Sequence, residues 1–205
     1  MPIAPNVLTD LAPQPYAKIR GEVRDGDLLL CSATDRFSRL IRWATKSHWS
    51  HVAIAYRLEE IDRVIVLECV AKIGVRAVPL SSFIRRTSQG VHPYPGKILL
   101  ARHRGLAAKS RRAPMKKMAA FAFDRLGDPF STGEMAKIVL RIALSRFGRR
   151  LPRSLGPKDE FICSEYVGRC LKAVGLEIPW DGLGFIAPSD FASDPRVDAV
   201  AQIAT

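Results

Sequence analysis

The stretch Phe161-Ile162-Cys163-Ser164-Glu165-Tyr166-Val167 decides how the rest of the chain is interpreted. Apolar residues recur from here at spacings of three and four, which predicts an amphipathic helix: Ile162, Tyr166, Val167, Cys170, Leu171 and Val174. Cys163 falls in its first turn, where unpaired backbone N–H groups and the helix dipole favour an anion. Such a position lowers the pKa of a thiol toward the reactive thiolate. The alternative is that Cys163 is a small buried apolar residue, as free cysteines usually are.

Length and composition indicate one globular domain with an unusually basic surface. The chain has 205 residues, of which 47% are hydrophobic and 25% charged. Its 32 Lys and Arg outnumber its 20 Asp and Glu, which gives a net charge of +12. A surface of this sign attracts anionic partners such as nucleic acid, phospholipid headgroups or acidic substrates, and the charge alone does not choose among them.

The cysteine pattern and the N-terminus bear on the cellular compartment. The four cysteines form no C-x-x-C pair and no zinc-ribbon spacing, so we expect neither a disulfide framework nor a metal site. The first 20 residues contain four prolines and lack the apolar core of a signal peptide. We therefore expect a cytoplasmic protein without cofactors, whose basic surface can rest against an anionic membrane.

The two clearest predicted strands carry a histidine and a glutamate. Residues 50–56 and 63–70 are rich in β-branched and apolar residues and flank a charged turn at Glu59-Glu60. A symmetric hairpin would place His51 opposite Glu68, with Cβ atoms roughly 5 Å apart. A register slip of one residue would instead put the two side chains on opposite faces.

The other segments suggest how the domain is organised. Residues 1–20 are predicted to form an extended, poorly ordered N-terminal arm, and 21–205 a single catalytic domain. Helical patterns occupy about 110–150, a segment that we interpret as an insertion or lid. Fourteen Lys or Arg against three acids between Arg102 and Arg153 make this region strongly basic. Such a surface is either a set of solubilising helix faces or a docking surface for an anionic partner.

Three residues together satisfy the requirements of a thiol nucleophile. The thiolate needs a helix N-terminus and an imidazole, and the imidazole needs a polar partner on its other nitrogen. Cys163, His51 and Glu68 supply these parts as nucleophile, base and orienting acid. The Cys163 backbone N–H would help to stabilise an oxyanion.

These residues lie in motifs that resemble a known family. Gly-Asp-Leu-Leu-Leu (26–30), Trp-Ser-His-Val-Ala-Ile (49–54), Val-Leu-Glu (66–68), Gly-Asp-Pro-Phe (127–130) and Phe-Ile-Cys-Ser-Glu-Tyr-Val (161–167) are similar to the YiiX/YebB-like branch of the NlpC-type cysteine hydrolases, relatives of the lecithin:retinol acyltransferase-like enzymes. The resemblance implies an α+β, circularly permuted papain-like fold with a central antiparallel sheet packed against helices. It also implies that Cys163 is the nucleophile, His51 the base and Glu68 the orienting acid.

Several neighbouring residues have two interpretations. Trp43, Trp49 and Tyr166 flank the predicted site, either as core aromatics or as walls of a substrate pocket for an apolar group. His48 and His51 have an H-x-x-H spacing, but the pattern offers no third ligand and the predicted strand does not put both on one face.

Three functions fit the sequence. The first is a cysteine hydrolase that cleaves an amide or ester of a small peptide-like or acyl substrate through an acyl-enzyme. The second is a lipid-directed acyltransferase or acyl hydrolase on anionic membranes. The third is a non-enzymatic module that binds anions or nucleic acid, although the sequence contains no recognised nucleic-acid motif.

Overall fold

Alternating strands and helices along the chain build a mixed sheet with helices on both faces. The computed structural model describes residues 2–87, 90–107, 112–131, 133, 162–180 and 185–205. In these ranges the strands are β1 (Pro13–Gln14), β2 (Asp27–Ala33), β3 (His51–Leu58), β4 (Arg63–Val70), β5 (Gly74–Pro79), β6 (Arg86–Thr87), β7 (Gly90–Val91), β8 (Gly96–His103) and β9 (Val197–Ile203).

The helices of the described ranges are mostly short. They are α1 (Val7–Asp10), α2 (Tyr16–Ile19), α3 (Arg36–Thr45), α4 (Leu80–Phe83), α5 (Arg104–Ala107), α6 (Arg112–Asp124), α7 (Cys163–Lys172) and α8 (Pro188–Ser193). Helix α6 coincides with the start of the segment predicted as an insertion or lid, and most of the remainder of that segment lies outside the described residues.

Seven strands form the main sheet, in the order β1-β9-β8-β2-β3-β4-β5. All its pairings are antiparallel except that of β1 with β9 at one edge, which is parallel. Strand β2 lies in the middle and is buried along its whole length. Its continuous apolar run, Leu28-Leu29-Leu30-Cys31, matches a strand covered on both faces. The α+β class and the central sheet predicted from the sequence are confirmed.

Each face of the sheet has its own hydrophobic core. Leu28 and Leu30 face the larger core, which also contains Tyr166 and Val167 of α7. Leu29 and Cys31 face a smaller core built with α2 and α4. This alternation follows from the two-residue period of a strand. The alternation matters for the site because α7 covers the face of the larger core. His51 is two residues from Ala53 and therefore lies on the face of the smaller core.

The N-terminal arm predicted over 1–20 folds onto the domain, so the prediction of an extended arm is wrong. Its prolines separate the short elements α1, β1 and α2, and β1 pairs with β9. Val7 and Ile19 are buried, at 9% and 0% exposure. Proline punctuation predicts disorder, but the apolar residues Val7, Leu8 and Ile19 of this segment are buried in the core and hold it in place.

The β3–β4 hairpin forms, but in a different register from the symmetric one. Tyr56 lies opposite Ile65 and Leu58 opposite Arg63, a shift of two residues. The reason is the turn, which contains a short 3-10 helix (Glu59–Ile61) followed by Asp62 in the left-handed region with φ 50°. His51 is therefore not directly opposite Glu68. A shift of two preserves the faces, so both side chains still lie on the same side.

Candidate active site

Helix α7 begins at Cys163, as the sequence predicts. Ile162 precedes it in extended backbone and provides no side-chain cap to the first turn. The hydroxyl of Ser164 donates to the Ile186 carbonyl oxygen at 2.6 Å, and that of Tyr166 to the Ala122 carbonyl oxygen at 2.8 Å. These two bonds anchor the start of the helix from both sides. Cys163 remains partly exposed.

His51 is the first residue of β3 and is fixed by its neighbours in β2. It lies opposite Cys31 in the β2–β3 register. The Ser50 hydroxyl donates to the Cys31 carbonyl oxygen at 3.2 Å and accepts from the Ala33 N–H at 3.1 Å. The serine of the Ser-His-Val motif thus holds the strand end from which the imidazole projects.

Strands β3 and β4 separate where the site lies. Their paired residues run from Leu58–Arg63 to Ile54–Leu67, so the ends that carry His51 and Glu68 extend beyond the ladder. Helix α7 packs on both strands from the opposite face. Its N-terminal Cys163 lies beside His51 in this opening, where both line one cavity and each shifts the pKa of the other. The ring nitrogen Nε2 of His51 lies 2.7 Å from Glu68 Oε2, so Nδ1 is the ring nitrogen that Glu68 does not occupy.

The surroundings of Cys163 favour the thiolate. Burial by itself would raise the pKa of this thiol, but the positive charge and hydrogen bond of His51 outweigh it. Backbone N–H groups of Val52 and Ser164 also donate to the sulfur, and the pKa falls below its ordinary value. Burial raises the pKa of the other three cysteines, Cys31, Cys69 and Cys170, well above that value. Cys163 is thus the one cysteine of the four that is poised to ionise.

His51 and Glu68 are stabilised in their charged forms. Burial would lower the pKa of His51, but the charge of Cys163 and the hydrogen bonds to Cys163 and Glu68 raise it to about 10. Burial would likewise raise the pKa of Glu68, yet the hydrogen bond and charge of His51, together with Arg76, lower it. The arrangement is therefore a thiolate beside an imidazolium, which in turn contacts a carboxylate.

A fourth charged residue, Arg76, joins the cluster and was missed by the sequence analysis. It lies opposite Glu68 in the β4–β5 register, and its Nε donates to Glu68 Oε1 at 2.8 Å. The signal that could have found it is the pairing of β5 with β4. Following the register from Val70–Gly74 around the short connection would have placed Arg76 beside Glu68.

Cys163 opens into a cavity of about 300 Å³ with a largely apolar wall. Cys163, His51, Glu68 and Arg76 lie along one part of its lining. The apolar wall is formed by Phe37, Ile41, Phe83, Tyr94 and Phe130. Phe130 belongs to the Gly-Asp-Pro-Phe motif, whose loop is tied to β5 by the bond from the Val75 N–H to the Asp128 carbonyl oxygen, 2.9 Å long. The cavity can accommodate a small acyl or side-chain group beside the sulfur.

The three aromatic residues predicted as substrate-binding do not line this cavity. Tyr166 is fully buried in the core next to α6. Trp49 is 5% exposed and lines a second cavity of about 430 Å³ together with His48. Trp43 is 56% exposed on α3. Their positions in sequence are close to the catalytic candidates, but helix and strand geometry directs them elsewhere.

Comparison with known proteins adds the family. No curated protein matches the chain. The crystal structure of metalloprotein yiiX from Escherichia coli O157:H7 resembles it with a TM-score of 0.60 at 19% identity, over 89% of this chain and 98% of that one. In the ranges that the structure describes here, no group of three or more His, Cys, Asp or Glu side chains is placed to hold a metal ion. Nor do those ranges contain a helix long and apolar enough to cross a membrane.

A family model agrees with the resemblance found in the motifs. The model describes permuted papain-like amidase enzymes, YaeF/YiiX, of the C92 family, and it matches residues 22–200. This span contains β2, β3, β4, β5 and β8 in full and the first part of β9, and it leaves out β1. The chain therefore belongs to the permuted papain-like amidase family C92 and is an enzyme of the papain-like cysteine hydrolase type.

Proposed function

We propose that this enzyme hydrolyses an amide or ester bond through an acyl-enzyme on Cys163, with His51 as general base and acid and Glu68 as the residue that orients it. The observation that carries the proposal is that Cys163, His51 and Glu68 line one cavity wall, with His51 in contact with Glu68 and lowering the pKa of Cys163. Of the four thiols, this one has a lowered pKa and opens to a cavity that a substrate can enter.

Acylation begins with attack of the Cys163 thiolate on the carbonyl carbon of the substrate. The carbonyl π electrons move to oxygen, and the resulting oxyanion is stabilised by backbone N–H groups at the start of α7, including that of Cys163. The His51 imidazolium then gives its proton to the leaving amine or alcohol as the bond to carbon breaks. Glu68 stabilises the charged ring before this transfer and holds its orientation throughout.

Deacylation reverses these roles. The now neutral His51 removes a proton from a water molecule, whose oxygen attacks the thioester carbonyl. Collapse of this second tetrahedral intermediate expels the Cys163 thiolate and releases a carboxylic acid. The imidazolium and thiolate are thereby restored without any outside proton donor.

The cavity favours a small substrate with an apolar acyl part. Four aromatic side chains and Ile41 surround a volume of about 300 Å³. A peptide-like or acyl group fits this chemistry, whereas a nucleic acid would need an open basic groove.

Competitive alkylation with iodoacetamide tests the nucleophile. We expect Cys163 to be modified first among the four cysteines, and Cys163→Ala to lose hydrolysis of the ester probe p-nitrophenyl acetate. Cys69→Ala is the matched control, because Cys69 lines the same cavity with a raised thiol pKa. Equal, slow alkylation of all four cysteines would refute the proposal.

A second candidate places the same chemistry on a membrane lipid. Helix α3 carries Phe37 and Leu40 at 40% and 42% exposure, beside the exposed cations Arg36 and Arg39. An apolar stripe next to basic residues is typical of helices that lie on anionic membranes. Phe37 also lines the cavity, so a membrane contact through α3 would bring an acyl chain near Cys163.

Sedimentation with phosphatidylglycerol vesicles tests this second candidate. We expect binding that weakens as salt rises, and weaker binding for the double variant Phe37→Ser, Leu40→Ser. The control variant Ile73→Ser removes a similarly exposed residue, at 57% exposure, from the connection between β4 and β5. An absence of binding at low salt would remove this candidate without affecting the first.

A further inference from the structure

The carboxylate of Glu68 divides its two oxygens between two cations. Oε2 lies 2.7 Å from His51 Nε2. Oε1 accepts from Arg76 twice, from Nε at 2.8 Å and from Nη2 at 2.6 Å. The Glu68 side chain is 2% exposed, whereas that of Arg76 is 38% exposed at the cavity. The buried acid is therefore clamped between the base of the site and an arginine on the neighbouring strand.

Burying a carboxylate is costly unless it is paired and hydrogen-bonded. A carboxylate that contacts only His51 would be free to rotate about its terminal bond, and its whole charge would act on the imidazolium. The planar guanidinium of Arg76 fixes that rotation, because two of its N–H groups converge on one oxygen. It also supplies a positive charge that balances Glu68 while Glu68 balances His51.

We propose that Arg76 is a positioning residue of the active site, which acts through Glu68 to aim the His51 ring at Cys163 and to set the charge balance of the thiolate–imidazolium pair. The inference rests on the proposed function of Cys163. It adds a residue from β5 to a site otherwise built from β3, β4 and α7. A competing explanation is that Arg76 only ties β5 to β4 and contributes to stability.

The two explanations differ in what they predict for the thiol. Removing a positive charge from this cluster disfavours the thiolate, so its formation should require a higher pH. A structural role alone would lower the melting temperature and leave that pH unchanged. The pH dependence of Cys163 alkylation therefore separates them, and it needs no knowledge of the natural substrate.

Among the residues that the structure describes, few other titratable groups near the site would complicate the profile. Burial raises the pKa of the neighbouring Cys31, Cys69 and Tyr94 above their ordinary values, so these three stay neutral over the range of the assay. Asp35, at the cavity edge, has a lowered pKa: its burial is outweighed by hydrogen bonds from Ser38 and Phe37, so it stays charged. Glu165 in α7 is paired with Arg169 at 2.7 Å.

The experiment compares the unmodified protein with three variants, using iodoacetamide and peptide mapping at Cys163. Arg76→Met removes the positive charge and the paired N–H donors of the guanidinium. Arg76→Lys keeps the positive charge and loses the paired N–H donors. Arg102→Met is the matched control, because Arg102 also pairs with a buried carboxylate, Asp27, through two bonds of 2.7 Å. That pair lies among residues that do not line the catalytic cavity.

We expect the midpoint of Cys163 alkylation to rise by about one pH unit in Arg76→Met, with roughly tenfold slower alkylation on the acid side. Arg76→Lys should restore the midpoint while hydrolysis of p-nitrophenyl acetate stays slow. The positive charge returns in this variant, but the paired guanidinium donors that orient Glu68 do not. Arg102→Met should lower the melting temperature and leave the midpoint in place.

Two outcomes would overturn the inference. One is a midpoint in Arg76→Met equal to that of the unmodified protein. The other is an equal shift in Arg102→Met, which would indicate a general effect of destabilisation. Either result leaves the proposed function intact as long as Cys163 is still the preferred site of alkylation. If Cys163 is not preferred even in the unmodified protein, it is the proposed function that fails.

Discussion

Replacing His51 with glutamine should make the Cys163 thiol much less reactive. Glutamine is similar in size and keeps hydrogen-bonding capacity, but it cannot carry the positive charge that offsets burial of the sulfur. In the other three cysteines of the protein, burial is the largest influence on the thiol and raises its pKa. In His51→Gln we expect the pKa of Cys163 to move in the same direction.

The size of the effect follows from the contact between the two charges. A pair about 4 Å apart at an effective dielectric constant of about 20 interacts by about 4 kcal/mol, which corresponds to about three decades of thiolate population. A thiolate of higher pKa is intrinsically more nucleophilic, with a Brønsted coefficient of about 0.45, which recovers somewhat under half of that loss on a logarithmic scale. The net expectation is a roughly 50-fold slower alkylation of Cys163 below the thiol pKa of both proteins.

The assay measures the second-order rate of iodoacetamide reaction at Cys163 against pH, by quenched sampling and peptide mapping. His48→Gln serves as the control, since His48 is exposed and lines the second cavity. Its Cys163 rate should match that of the unmodified protein. A rate in His51→Gln within about twofold of the unmodified protein would refute the reasoning, because it would mean that the imidazole does not stabilise the thiolate.

Three further predictions concern the same cluster and its support. Glu68→Gln removes a negative charge, so both limbs of the pH profile of p-nitrophenyl acetate hydrolysis should move to lower pH by about one unit or more, and unshifted limbs would contradict the electrostatic role of Glu68. The free energy of unfolding, measured with urea against pH, should fall at both extremes of pH. The lowered pKa of Glu68 contributes stability that is present above pH 4.5 and is lost as pH falls through the folded pKa. The raised pKa of His51 contributes stability that is present below pH 6.5 and is lost as pH rises toward about 10. Gly74→Ala should destabilise the fold by about 3 kcal/mol, because Gly74 has φ 89° and an added Cβ would lie 2.1 Å from the Asp128 carbonyl oxygen; a melting temperature within about 1 °C of the original would contradict this.

The catalytic candidates could be found from the sequence because each depends on a local rule. The start of α7 follows from helical spacing, and the common face of His51 and Glu68 follows from strand alternation. The error of two residues in the hairpin register came from the turn, whose 3-10 helix and left-handed Asp62 have no strong signature in Glu59-Glu60. The prediction of the contact survived because side-chain direction depends only on whether a shift is even or odd.

What the sequence could not give is the set of contacts between distant segments. The cavity wall combines Phe37 of α3, Tyr94 before β8 and Phe130 after α6, and no periodicity connects them. Trp43 and Trp49 are close to the catalytic candidates in sequence, but nearness in sequence says little about position in space. Arg76 needed the pairing of β4 with β5, and the edge strand β1 needed its partner β9 from the far end of the chain.

Mass spectrometry of the protein during reaction with p-nitrophenyl acetate tests the assignment of the nucleophile most directly. We predict a burst of p-nitrophenol equimolar with the protein, together with one acetyl group that maps to Cys163 and is lost again by hydrolysis. Cys163→Ala should show neither the burst nor the acetyl group. An acetyl group found instead on lysines or on another cysteine, or steady hydrolysis without any burst or adduct at Cys163, would contradict the assignment.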